Sequence, residues 1–104
     1  MTTKTIWKYN VGADEFSIQM PIGAQVLDVQ LQNGLAQMWA LVDPTAEMTT
    51  RQFATYGTGH PINADDHTEL NYVGTFQCGI LVFHLFEVHP NRGGDSKRIL
   101  EGRP

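Results

Sequence analysis

The sequence predicts an all-β domain, a small antiparallel sandwich or barrel built from hairpins. Short runs rich in β-branched and aromatic residues alternate with clusters of Gly, Pro, Asn and Asp. Helical periodicity is nearly absent. Leu35–Val42, the one stretch that tempts a helix assignment, is preceded by Asn33-Gly34 and closed by Pro44. Asn33-Gly34 also lies between two β-rich runs, which is a strong hairpin signal because a type I′ turn needs positive φ at both central residues.

The runs place strands at Thr5–Tyr9, Glu15–Met20, Gln25–Gln32, Leu35–Val42, Thr50–Tyr56, Leu70–Gln77 and Ile80–His89. In the first, Trp7 and Tyr9 share one face and Lys8 takes the other. A two-residue loop at Asn33-Gly34 sets Leu31 opposite Ala36, Val29 opposite Met38 and Leu27 opposite Ala40, an apolar set that defines a core face. Val26, Asp28, Gln30 and Gln32 then face Leu41, Trp39, Gln37 and Leu35, so Trp39 sits opposite Asp28 on the less apolar side. Asp43-Pro44 opens a turn, and Asn63–Glu69 is a polar, acidic loop. A second hairpin with Cys78-Gly79 as its turn pairs Phe76 with Leu81, Tyr72 with Leu85, Gly74 with Phe83 and Val73 with His84. Ile80–Phe86 is apolar on both faces, which fits a central strand covered on two sides by a second sheet or another subunit. A homo-oligomer is therefore expected. Residues 1–89 form the single β domain, and 90–104 read as a polar, Gly-rich, mobile tail.

At 104 residues the chain fits one domain with a feasible core. The formal net charge of -4 argues against general binding to DNA or RNA, which needs a basic face. The lone Cys78 excludes an intramolecular disulfide and points to a cytosolic compartment. No apolar run reaches the ~18 residues of a membrane span, and MTTKTIWKYN lacks the apolar stretch of a signal peptide.

YGTGHP, from Tyr56 to Pro61, is the first candidate for chemistry. A dinucleotide fingerprint needs a helix after its glycines, and a phosphate loop ends in Gly-Lys-Ser/Thr; neither is present. A small anion nest of backbone N–H groups remains open, beside the simpler reading of a strand-ending turn with glycines at positive φ. The four histidines show no zinc spacing; His60 with Asp65, Asp66 and His67 is the best metal candidate, but such polar loops are common and no metal site is assigned. His84 reads either as a core or interface histidine or as a ligand-facing group. Cys78 lacks a charged partner to lower its pKa, and no Gly-x-Ser-x-Gly elbow exists, so nucleophilic catalysis is not expected and no cofactor is implied. Tyr56 and Trp39, near Arg51 and a Gly-rich loop, are the equipment for stacking a base and holding a phosphate, although aromatic residues also fill β cores.

IWKY, MPIGAQVLDVQLQNG, MWALVDP, YGTGHPI, YVGTFQ and LVFHLFE together resemble a family of short phage and prophage proteins that carries only a label of unknown function. The resemblance covers roughly Thr5 to Val88. It implies viral origin and one compact domain, and it assigns no catalytic residue. With that origin, the expected function is a non-enzymatic accessory protein in the host cytoplasm that sequesters a small anionic, nucleotide-like defence signal. The expected site is Tyr56, Gly57, Thr58, Gly59 and His60 as one wall, with Trp39 and Arg51 supplying stacking and charge. A protein–protein inhibitor of a host factor is the alternative, and a metal-assisted hydrolase using His60, Asp65, Asp66 and His67 comes last.

Overall fold

A computed structural model describes residues 2–63 and 68–90. Seven strands form in chain order: β1 (Thr5–Asn10), β2 (Asp14–Pro21), β3 (Gln25–Gln32), β4 (Leu35–Val42), β5 (Met48–Gly57), β6 (Thr68–Cys78) and β7 (Leu81–Pro90). They make two antiparallel sheets, a three-stranded one ordered β1-β4-β3 and a four-stranded one ordered β2-β5-β7-β6. The architecture is the expected all-β one, a sandwich. The segment expected to be a mobile tail lies outside the described residues from 91 onward, as do Asp65, Asp66 and His67.

Alternation along the strands builds the core. Met38, Ala40 and Val42 of β4 point inward with Val29 of β3, and they meet Met20, Phe53 and Leu85 of the other sheet. Trp7, Tyr9, Phe16 and Ile18 pack around this centre, and the Phe16 and Phe53 rings stack with centroids 5.8 Å apart. The chain passes between sheets at Val11–Ala13, where Thr55 Oγ1 donates to the Gly12 carbonyl at 3.1 Å. It passes again at Ile22–Ala24, where Gly23 takes φ +83°.

The first hairpin turns at Asn33 (φ 53°) and Gly34 (φ 81°), the two positive values of a type I′ turn. Leu31 faces Ala36 and Val29 faces Met38 as expected. Leu27 does not face Ala40. A bulge between Val26 and Asp28 sets Val26 opposite Ala40 instead. One extra residue reverses the alternation, so Val26 turns toward the core and Leu27 is pushed outward to 44% exposure.

The second hairpin corrects the register. Its central residues are Gly79 and Ile80, not Cys78 and Gly79, and Cys78 pairs with Leu81. Gly79 takes φ +63° while Ile80 does not, the signature of a type II′ turn, which puts glycine at its first central position. Phe76 therefore faces Phe83, Gly74 faces Leu85 and Thr75 faces His84. A bulge between Tyr72 and Gly74 then sets Tyr72 opposite Phe86. Ile80 is the turn tip, 94% exposed, rather than the start of a strand. β7 is central, as expected, between β5 and β6. Its inner face is covered; among the described residues, no layer closes over Val82, His84, Phe86 and Val88 on its outer face.

The two bulged edge strands, β3 and β6, meet at one corner of the sandwich. A Cβ on Gly74 would stand 2.7 Å from Val29 Cγ1, so only glycine allows this approach.

Candidate functional site

YGTGHP closes β5 with a tight turn. His60 N–H donates to the Gly57 carbonyl at 3.1 Å, and Thr58 N–H donates to the Val82 carbonyl of the neighbouring strand at 3.1 Å. Gly59, third residue of the turn, takes φ +84°, as a type II turn requires. The His60 imidazole folds back over Gly57, where a Cβ would stand 2.8 Å from its Cε1 and Nδ1. Gly59 thus fits the expected strand-ending turn with glycine at positive φ, whereas Gly57 does not take positive φ and is explained by the close approach of His60.

Tyr56 and Thr58 point to the outer face of the four-stranded sheet, whereas the His60 ring lies on the side of Gly57, which has the opposite parity on β5. Tyr56 leads an aromatic row across three strands. The Tyr56 and Phe86 centroids are 6.0 Å apart, and those of Phe86 and Tyr72 are 5.7 Å apart, tilted and edge-on respectively. Ala54 is fully buried although it shares the outward parity of Tyr56 on β5.

A hydrogen-bonded row runs alongside. His84 Nε2 lies 2.7 Å from Thr58 Oγ1, and His84 Nδ1 lies 2.9 Å from Thr75 Oγ1. Thr75 Oγ1 in turn lies 2.5 Å from the Tyr72 hydroxyl. His84 thus lies on the outer face of the sheet, with both ring nitrogens held by threonine hydroxyls. Two shallow clefts flank the turn: one of 250 Å³ against Ile80–Phe83, and one of 360 Å³ bounded by Asp14, Glu15, Tyr56, Pro61 and Asn63.

Two carboxylates, Asp14 and Glu15, stand near Tyr56. Burial raises the Tyr56 phenol pKa, and the Glu15 and Asp14 carboxylates add to the rise. Among the described residues, Lys4, Lys8 and Arg51 are the cationic side chains at neutral pH, and none projects from this face.

The structure gathers Tyr56, Gly57, Thr58, Gly59 and His60 but separates them from Trp39 and Arg51. Trp39 lies on the outer face of the other sheet, between Lys8 of β1 and Asp28 of β3. Arg51 shares β5 with Tyr56 but has the opposite parity and points inward. There it binds Glu87 through Nε at 2.6 Å and Nη2 at 2.7 Å, and Nη1 donates to the Ala24 carbonyl at 2.5 Å. Pairing with Glu87 raises the Arg51 pKa against the opposing effect of burial. Sequence reasoning missed Phe86, Tyr72 and Thr75. The type II′ reading of Gly79-Ile80 would have set Thr75 against His84; the bulge that aligns Tyr72 with Phe86 leaves no comparable local signal.

Among the described residues, no three His, Cys, Asp or Glu side chains gather to hold a metal ion. The metal candidate around His60 needs Asp65, Asp66 and His67, which lie outside the described residues. A family model described as a domain of unknown function (DUF7352) matches residues 2–94. No curated protein and no solved structure matches the chain.

Proposed function

The chain belongs to the DUF7352 family, a domain of unknown function, and on that premise we propose that it is a non-enzymatic binding protein for a small nucleotide-like ligand. The observation that carries the reading is the Tyr56–Phe86–Tyr72 row on the open face of a four-stranded sheet. Sheet-surface aromatics stack bases in several nucleic-acid binders, each base contributing about 1–3 kcal/mol. Those binders add a basic track for the backbone. No such track is present on this face among the described residues, so a small ligand held through its base fits better than a polyanion. The Thr58–His84–Thr75 row supplies hydrogen bonds beside the stack.

The proposal extends to a phage accessory role in the host cytoplasm, in which the ligand is a defence signal and binding lowers its free concentration. The resemblance of the chain to short phage proteins supports that extension. The uncovered outer face of β7 supports self-association, which light scattering tests; a monomer would remove it. A second reading, docking to a host protein, draws support from Ile80 and Leu81, 94% and 57% exposed at one hairpin tip. It predicts a host-protein complex that survives Tyr56→Ala and weakens with Ile80→Asp.

Calorimetric titration with cyclic dinucleotides, cyclic ADP-ribose isomers and single nucleotides tests the leading reading. At 100 times Kd a ligand adds about 2.7 kcal/mol of stability, a melting shift of many degrees for a domain this size. Phe86→Ala and Tyr56→Ala should abolish the shift. A folded protein that responds to none of these ligands would overturn the proposal.

A further inference from the structure

Beside the aromatic face lies a second concavity. It has a volume of 560 Å³ and is lined by the start of β3, by Asn71–Val73 of β6, and by Arg51 and Glu87, within the usual range for small-molecule sites. Its walls run into the two bulges, at Leu27 and Val73, next to the contact of β3 and β6 at Val29 and Gly74. Bulges are over-represented next to binding sites because they re-aim side chains and end pairing.

The ion pair in this wall is partly desolvated: the Arg51 side chain is 21% exposed and that of Glu87 9%. Stability alone does not account for it, since well-packed apolar residues usually replace a buried ion pair at little cost or with a gain. Its hydrogen-bonding capacity is also incompletely used. Of the five N–H donors of a guanidinium, Arg51 gives two to Glu87 and one to the Ala24 carbonyl, which leaves one each on Nη1 and Nη2. Each Glu87 oxygen accepts one of the Arg51 bonds; Oε1 keeps a further lone pair, and Oε2 also has His89 Nε2 3.8 Å away. A donor and an acceptor of opposite charge thus stand side by side. An anion would meet the Glu87 charge and a cation the Arg51 charge; a neutral group with one N–H beside one C=O meets neither. Gln25 and Asn71 add amides to the same lining.

We propose that this pocket is a second binding site, taking a neutral amide-type group such as a primary carboxamide or the hydrogen-bonding edge of a pyrimidine base. It is distinct from the aromatic face, although Tyr72 borders both.

The test is residue-resolved NMR of the full chain titrated with nicotinamide and with uridine, and with acetate and guanidinium as charged controls. Nicotinamide and uridine should give saturable shifts at the amides of Gln25–Leu27, Asn71 and Val73, with Kd of roughly millimolar order. Asn71→Trp, which fills the mouth from an exposed position, should weaken binding about tenfold or more, and Tyr56→Ala should leave it unchanged. Absence of saturable shifts at these amides with both neutral probes overturns the site. Equal or stronger shifts with acetate or guanidinium overturn the ligand class. Neither result bears on the aromatic face, which reports through Tyr56, Phe86 and His84.

Discussion

Arg51 and Tyr56 lie on the same strand and serve opposite sides of the protein. Arg51 points inward and is bound on three of its donors by Glu87 and the Ala24 carbonyl. Tyr56 points outward and packs on Phe86, with the acidic pair Asp14 and Glu15 nearby and, among the described residues, no cation. Proximity in sequence suggests one site that joins stacking to charge. The period of two along a strand divides them. One face therefore offers aromatic surface without positive charge, and the other offers a neutralised charge pair without a stack.

Substitutions can break this division from either side. The largest effect belongs to the inner face: Phe53→Ala empties a fully buried position between the sheets and should cost about 3–5 kcal/mol in urea unfolding. Glu87→Ala leaves Arg51 unpaired near the interior and should cost roughly 2–3 kcal/mol, less than for a fully buried pair because Arg51 keeps some solvent. The double change Arg51→Met with Glu87→Leu should recover most of that loss. If it does not, the pair is a structural requirement rather than part of a pocket. Gly74→Ala drives a Cβ into Val29 and should cost about 1–3 kcal/mol, opening the corner between β3 and β6.

On the outer face the expectation reverses. Tyr56→Ala should cost about 1 kcal/mol or less in stability, since the ring is only half-buried, yet remove ligand-induced stabilisation. The smallest effect is alkaline. The folded pKa values of Tyr9 and Tyr56 are raised above 10.0, first by burial. Their neutral forms therefore stabilise the fold fully below pH 10.0, and that contribution is lost as pH rises through the raised values. Stability measured from pH 9 to 12 should fall in that window, and Tyr56→Phe should reduce the loss.

Much of the fold was legible because its signals are local. Asn33-Gly34 imposes its turn by backbone sterics, and alternation names the core residues Val29, Met38 and Ala40. The bulges were not legible. Nothing in VLDVQ announces that Leu27 will be expelled; the bulge sits where β3 approaches β6, a contact between residues more than forty positions apart. The candidate site was half legible for the same reason. Tyr56 to His60 is one continuous segment, whereas Phe86, Tyr72 and Thr75 join it only through the register of β6 and β7. Arg51 was misjudged by neighbourhood, since parity outweighs proximity on a strand.

The strand order also sets a sequence of events in time. Only β3–β4 and β6–β7 are joined by two-residue turns, and such hairpins form in roughly 1–10 μs. β1 must find β4 and β2 must find β5 across long intervening segments, and the entropy of closing those loops is spent before the contacts return it. Refolding should therefore be slow for so short a chain. Until β5 docks along β7, the strand that bears both Arg51 and Tyr56 has neither of its sides defined.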